Sequence, residues 1–371
     1  MTAVSDTARG SVPDVPDVAA STAPTALRPR HRSGFWAAAF AFLVVMAVAT
    51  LPSPLYGLYR TRDHLSALTI TVVFAIFAAG TIAMLLRDSS IAARIGRRGT
   101  MLAAVATMMV AMGMLAVWKG LPGLLIGRLI TGVAVGLAAG TAITYLIELR
   151  LRADPKASAV RARTIGTSVT VGALGIGPLI AGCLAQWVPY PLTVPYLVFV
   201  ALGMVALIGL WAAPETGATA RLAAAKSQPA DSRRKVRLPV PAAAGTLAAF
   251  SANGLFAGLT LLVVSVRRST PSLALFLIAG ALIGAGSGAV FKGTTGIVLE
   301  ASPPESRVAM TSDLLIALYV GFSVPVIGAG VALELGASAP DTVLGFAILV
   351  GLGVAVSGWA LLGRRGSQVR A

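Results

Sequence analysis

Cysteine and histidine are almost missing from these 371 residues, with one Cys and two His. A lone Cys183 excludes an intramolecular disulfide, and no Cys/His cluster has the spacing of metal ligands. Charge is scarce too: 12% of residues are charged, where ordinary soluble chains hold about a quarter. Acids are scarcer than bases, 14 against 30. HExxH, GxSxG and any plausible nucleophile–base pair are absent, so nothing points to an enzyme. The chain is instead 56% hydrophobic, with a mean hydropathy of +0.84. Repeated runs of 18 or more uncharged residues place such a chain in a bilayer.

A run of about 20 apolar residues crosses roughly 30 Å of hydrocarbon. Ten runs qualify, at 34–58, 67–86, 100–118, 122–148, 164–187, 195–213, 239–266, 273–299, 308–334 and 342–363. The expected architecture is an all-α polytopic membrane protein, with six spans in residues 34–213 and four in 239–363. A basic cytoplasmic linker (214–238) separates them, flanked by a disordered cytoplasmic tail (1–33) and a short cytoplasmic one (364–371). With the N-terminus inside, cytoplasmic segments carry 23 of the 30 Lys and Arg residues and outer loops carry 5. That bias fixes both termini in the cytoplasm. The net charge of +16 is therefore read as topology and contact with anionic lipid, and no nucleic-acid partner is expected.

Spans 4 and 8 each carry GxxxGxxxG, at Gly132, Gly136 and Gly140 and at Gly280, Gly284 and Gly288. In lipid such faces allow close backbone approach, so both are expected to pack helices. The order of features also repeats. Span 4 is followed by Glu148, Asp154-Pro155 and GALGIGPLIAG; span 8 is followed by Glu300, Pro303-Pro304-Glu305 and GFSVPVIGAG. Spans 8 to 10 thus read as a repeat of spans 4 to 6, with span 7 alone standing for spans 1 to 3. The outer pair Arg267-Arg268 lies at that seam.

These residues resemble the major facilitator superfamily, whose transporters have two six-helix halves. In the loop after span 2, Arg94, Gly96, Arg97 and Arg98 match the family pattern G-x-L-S-D-R-x-G-R-R, with Ser89 in place of its glycine and Ala93 in place of its aspartate. Arg128 and Gly132 resemble the R-x-x-x-G of the fourth helix, and Gly177-Pro178 with Gly182 looks like part of the glycine-proline motif of proton-coupled drug exporters. PSPLY at 52–56 and PET at 214–216 are similar to stretches ending helices 1 and 6 in many actinobacterial members. The resemblance implies a central cavity, transport by rocking of the halves, and a second half short of the family's eighth helix. A membrane protein of this descent that no longer transports is the alternative.

Intramembrane charges are the candidate functional groups, because each is costly at the bilayer centre. Arg128 is read as a contact for an anionic substrate or a modulator of proton movement, or else as a packing arginine bonded to backbone carbonyls. Lys292 is read as a cavity contact or as a snorkelling side chain. Asp313, in the first turns of span 9, suits the positive helix end or carries a proton. Glu148 and Glu300 end spans 4 and 8 at the inner face, either solvated or in gating salt bridges. His31 and His64 are expected at the surface. The expected partners are a small-molecule substrate, a possible coupling proton and membrane lipid, in a bacterial inner membrane; no cofactor is called for.

Overall fold

A computed structural model describes residues 27–216, 239–266, 273–301 and 307–368. The first 26 residues of the N-terminal tail, most of the linker, Arg267-Arg268 and Pro303-Pro304-Glu305 lie outside the described residues. The described residues form α-helices and no strand. Helices α1 (Leu27–Ala47), α2 (Tyr56–Asp63), α3 (Ala67–Leu85), α4 (Asp88–Val117), α5 (Leu121–Ala153), α6 (Ala159–Trp187) and α7 (Val194–Ala212) precede the linker. Helices α8 (Val240–Val266), α9 (Leu273–Ala301), α10 (Arg307–Glu334) and α11 (Ala339–Gln368) follow it. Eight of these, all except α1, α2 and α9, contain a described stretch long and apolar enough to cross a membrane.

Three expectations need correction. The first span is not one helix: α1 stops at Ala47, a 3-10 turn occupies Ser53–Leu55, and α2 resumes at Tyr56. Pro52 and Pro54 lack the N–H that an unbroken helix needs there. The segment 89–99 is not a loop either. Helix α4 begins at Asp88 and bends at Gly96, whose φ of 78° and ψ of 171° suit glycine alone. Nothing in Asp88–Ile95 opposes helix, so the turn is confined to the one residue that permits it. Lastly, α1 starts at Leu27, inside the expected tail, and His31 is buried while His64 is exposed.

The halves use glycine to bring helices together. A methyl group at Gly132 would fall on the Phe77 carbonyl, and one at Gly80 on the Leu129 carbonyl, so α3 and α5 touch backbone to backbone. Thr81 fastens the same contact by donating to Phe77 O and Gly132 O, both at 3.0 Å. In the same way Gly177 of α6 meets the Ala47 carbonyl of α1, and Gly321 of α10 meets the Leu247 carbonyl of α8. Small faces of this kind replace the hydrophobic drive that lipid does not supply. In the second half, α8 is the hub: α9, α10 and α11 all pack on it, as α5, α6 and α7 pack on α1. Four helices are described after the linker and seven before it.

Candidate functional site: a cleft between the halves

The break in the first span is pinned from two sides. Arg128 is fully buried, and its guanidinium donates to Ala49 O (2.9 Å), Phe74 O (3.2 Å) and Val73 O (3.5 Å). It also lies over the Phe77 ring, 4.6 Å from the centroid. The Ala49 carbonyl belongs to the turn that the prolines opened, so the arginine satisfies backbone that a continuous helix would have satisfied itself. From the other side, Thr50 donates to Leu174 O at 2.8 Å. Pro178 lies four residues after Leu174 and has no N–H, which leaves that carbonyl without its helical donor. The glycine-proline element thus acts locally, with Gly177 admitting α1 closely and Pro178 freeing an acceptor for Thr50. Gly182 sits one turn further along α6, where an added methyl group would meet Pro54 at 3.7 Å.

At the end of the bundle where α3 passes into α4, the arginines after α3 hold the end of α7. Arg98 donates to Leu210 O (3.0 Å) and Trp211 O, among the last carbonyls of α7. Arg97 pairs with Glu148 at 3.0 Å and gives its backbone N–H to Glu215. Glu148 also accepts from Thr216 Oγ1 at 2.6 Å, Tyr145 donates to Pro214 O at 2.9 Å, and Arg152 reaches Thr216 O at 2.6 Å. Helix α5 runs on to Ala153, so Glu148 is neither terminal nor freely solvated. Every member of this cluster lies in the first half or in the first three residues of the linker. Arg94 is exposed, Gly140 is half-buried, and Gly136 lies where a methyl group would meet Met84 Cβ at 2.6 Å. The Glu300 side chain and that of Ala93 lie outside the described residues. On the outer side, Arg62 chelates Asp63 (2.7 Å) and reaches Lys119 O; the Asp63 hydrogen bond raises the arginine's pKa further.

The two halves meet unevenly along the bundle. At the end where α3 begins, the outer one on the lysine and arginine bias, Ala67 of α3 packs with Leu255, Ala329 and Leu333 of the second half. At mid-depth Phe74 stacks on Phe322 with ring centroids 5.1 Å apart, and Phe77 meets Tyr319 edge-on at 5.8 Å. At the inner end, Ala242, Val298 and Met310 form a small core drawn only from the second half. Between α6 and α9, near the middle of α9, a methyl group added at Gly288 would meet the Val171 side chain at 3.8 Å. Below it Thr164 and Ser168 of α6 are exposed, as is Lys292, one turn inward of Gly288. Asp313 is exposed on α10 and has an interaction of its own. Sequence reasoning named Lys292 but missed Thr164, Ser168 and the aromatic seam of Phe74, Phe77, Tyr319 and Phe322. Polar residues at four-residue spacing within span 5 were the available signal for the first pair.

The sequence profile of the Major Facilitator Superfamily matches residues 38–269. The chain belongs to this superfamily of membrane transporters. Among solved structures it is similar to the nucleoside transporter NupG, with a TM-score of 0.60 at 12% identity over 88% of this chain and 98% of that one. A point variant of NupG gives 0.63 at 11% identity over the same shares. At such identities the likeness is one of fold. No curated protein sequence matches the chain.

Proposed function

We propose that this protein moves a small molecule across the membrane by alternating access, and that its cleft here faces the cytoplasm. The observation that carries this is the uneven seam: side chains from both halves seal the outer end, whereas the inner core of the second half stands apart. Rocking about the aromatic contacts of α3 and α10 would exchange the two openings. Lys292 and the hydroxyls of Thr164 and Ser168 line the cytoplasmic mouth and are the substrate-facing polar groups. Arg128 has a positioning role, holding the broken first span against α5.

Efflux is the direction favoured by the exporter-like element at Gly177, Pro178 and Gly182. Asp313 is the carboxylate assigned to proton coupling in that reading, since span 1 offers none. The lysine and arginine bias supports a bacterial inner membrane with both termini in the cytoplasm. The packing of α9, α10 and α11 on α8 supports a second half that lacks two helices equivalent to α3 and α4. That same shortening favours a second reading, a relative that has lost transport.

Accessibility separates the two. In a Cys183→Ser background, Ser168→Cys should react with an impermeant maleimide from the cytoplasmic side and Leu255→Cys, in the outer seal, from the outside. A transporter labels at both, because it visits both states. A protein frozen in this conformation labels at Ser168→Cys alone, and equal drug accumulation in expressing and empty-vector cells over a broad panel would accompany it.

A further inference from the structure

We propose that the cleft opens sideways into the inner leaflet between α6 and α9, where Lys292 binds the anionic group of a membrane-borne amphiphile. This rests on the cytoplasm-facing reading above and names the substrate class for that site.

The lateral opening follows from what α6 lacks. Across their apolar windows, 67% of α5 is buried but only 22% of α6. Its uncovered side carries Thr164, Ser168, Gly172 and Leu179, and a methyl group at Gly172 would meet no atom within 4 Å. The facing side of α9 is equally open: Gly284 and Gly293 have nothing within 4 Å of an added methyl. Beyond Val171 and Gly288, then, the two helices leave a slot rather than a wall.

The occupant is fixed by charge. Lys292 lies nine residues before Ala301, the end of α9, which is about 14 Å along the helix. That depth is within the inner leaflet. Its ammonium makes no ion pair or hydrogen bond among the described residues, whereas Glu148 is held by Arg97 and Thr216 and Asp313 has an interaction of its own. A cation on this slot, whose α6 side carries the exposed hydroxyls of Thr164 and Ser168, complements a carboxylate or phosphate whose apolar tail stays in the bilayer. A neutral or cationic solute would leave this charge unmatched.

The test uses the full chain with Cys183→Ser and a bimane label on Gly172→Cys, in phosphatidylcholine vesicles. Dibrominated phosphatidylglycerol or dibrominated phosphatidylcholine is added as a short-range quencher. The anionic lipid should be enriched at the label about fivefold, the gain one lysine gives near an anionic lipid. Lys292→Gln should bring the two lipids to parity and Lys292→Arg should keep the preference. A second label on Leu352→Cys, exposed on α11, should show no such preference and report that each variant is folded. Equal quenching in the parent, or a preference that survives Lys292→Gln, would overturn the proposal. So would quenching by neither lipid, as expected were the slot filled by a second copy. Displacement of the lipid by millimolar succinate would also overturn it, because Lys292 would then serve soluble anions from the cytoplasm. Transport failure with lipid preference intact would instead count against the alternating-access reading alone.

Discussion

The two halves solve the same packing problem with different numbers of helices. In the first, α5 is covered by α1, α3, α4 and α6, and its glycines are buried against backbone. In the second, α9 rests on α8, with lighter contacts to α10 and α6, and much of its glycine face meets nothing. A GxxxG pattern therefore marks a surface able to receive a helix, and whether one arrives is settled elsewhere in the chain. The half with seven described helices holds a buried arginine in a cage of carbonyls; the half with four leaves its lysine exposed.

The aligned glycines give the widest separation. Gly136→Leu would drive a side chain into the Thr81 carbonyl, a backbone atom that cannot yield without moving α3. A destabilisation of about 3 kcal/mol is expected, the upper range of overpacking, and is read as loss of monodisperse protein on detergent gel filtration. Gly284→Leu, at the aligned position of α9, should stay within about 0.5 kcal/mol of the parent, as surface changes do. Equal effects at the two sites would erase the distinction between the halves.

Next come the two intramembrane cations. Arg128→Met strands the Ala49 carbonyl in a dry interior, takes the second donor from the Phe74 carbonyl and removes the charge from the Phe77 ring. The expected cost is about 2 kcal/mol, from a buried acceptor left unmade, seen as a lower melting temperature. Lys292→Met removes no contact that the described structure holds and should leave the melting temperature unchanged. If it were the more damaging of the two, Lys292 would be structural and the cleft would need another polar anchor.

How much of this could be read from the sequence differs by kind of feature. Composition and spacing suffice for an all-helical, multi-pass fold, because membrane thickness constrains the length of apolar runs strongly. Arg128 was legible as an intramembrane cation, but not as the support of a broken helix. The break at Pro52 and Pro54 disappears when a 25-residue apolar run is averaged, and so do the free carbonyls that Arg128 and Thr50 serve. Glu148 was placed at a helix end because the charged stretch Glu148–Arg152 ended the hydrophobic pattern, whereas the helix continues to Ala153 under cover of the PET segment. The seam of Phe74, Phe77, Tyr319 and Phe322 was invisible for a different reason: apolar periodicity does not say which helix a ring will face.

Thr50→Val probes the same region at smaller scale, by restoring the situation in which Pro178 leaves Leu174 O without a donor. One neutral hydrogen bond is lost and one buried acceptor stranded, so about 1 kcal/mol of stability should go. Thr50→Ser should recover it, since the hydroxyl and not the methyl makes the contact. If valine were silent, Gly177 alone would account for the glycine-proline element.

The smallest effect is expected at the cytoplasmic cluster. Glu148 is about a quarter exposed, as is Arg97, and pairs at such exposure contribute roughly 0.5 kcal/mol. Glu148→Gln keeps an oxygen for Thr216 and loses only the charge facing Arg97, so the melting temperature should drop slightly and recover little on raising salt. Because both partners belong to the first half, breaking the pair does not separate the halves. The maleimide reaction at Ser168→Cys should therefore keep its rate from the cytoplasmic side. A faster reaction in Glu148→Gln would show that the pair restrains the opening, and would turn what the geometry makes an internal staple into a gate.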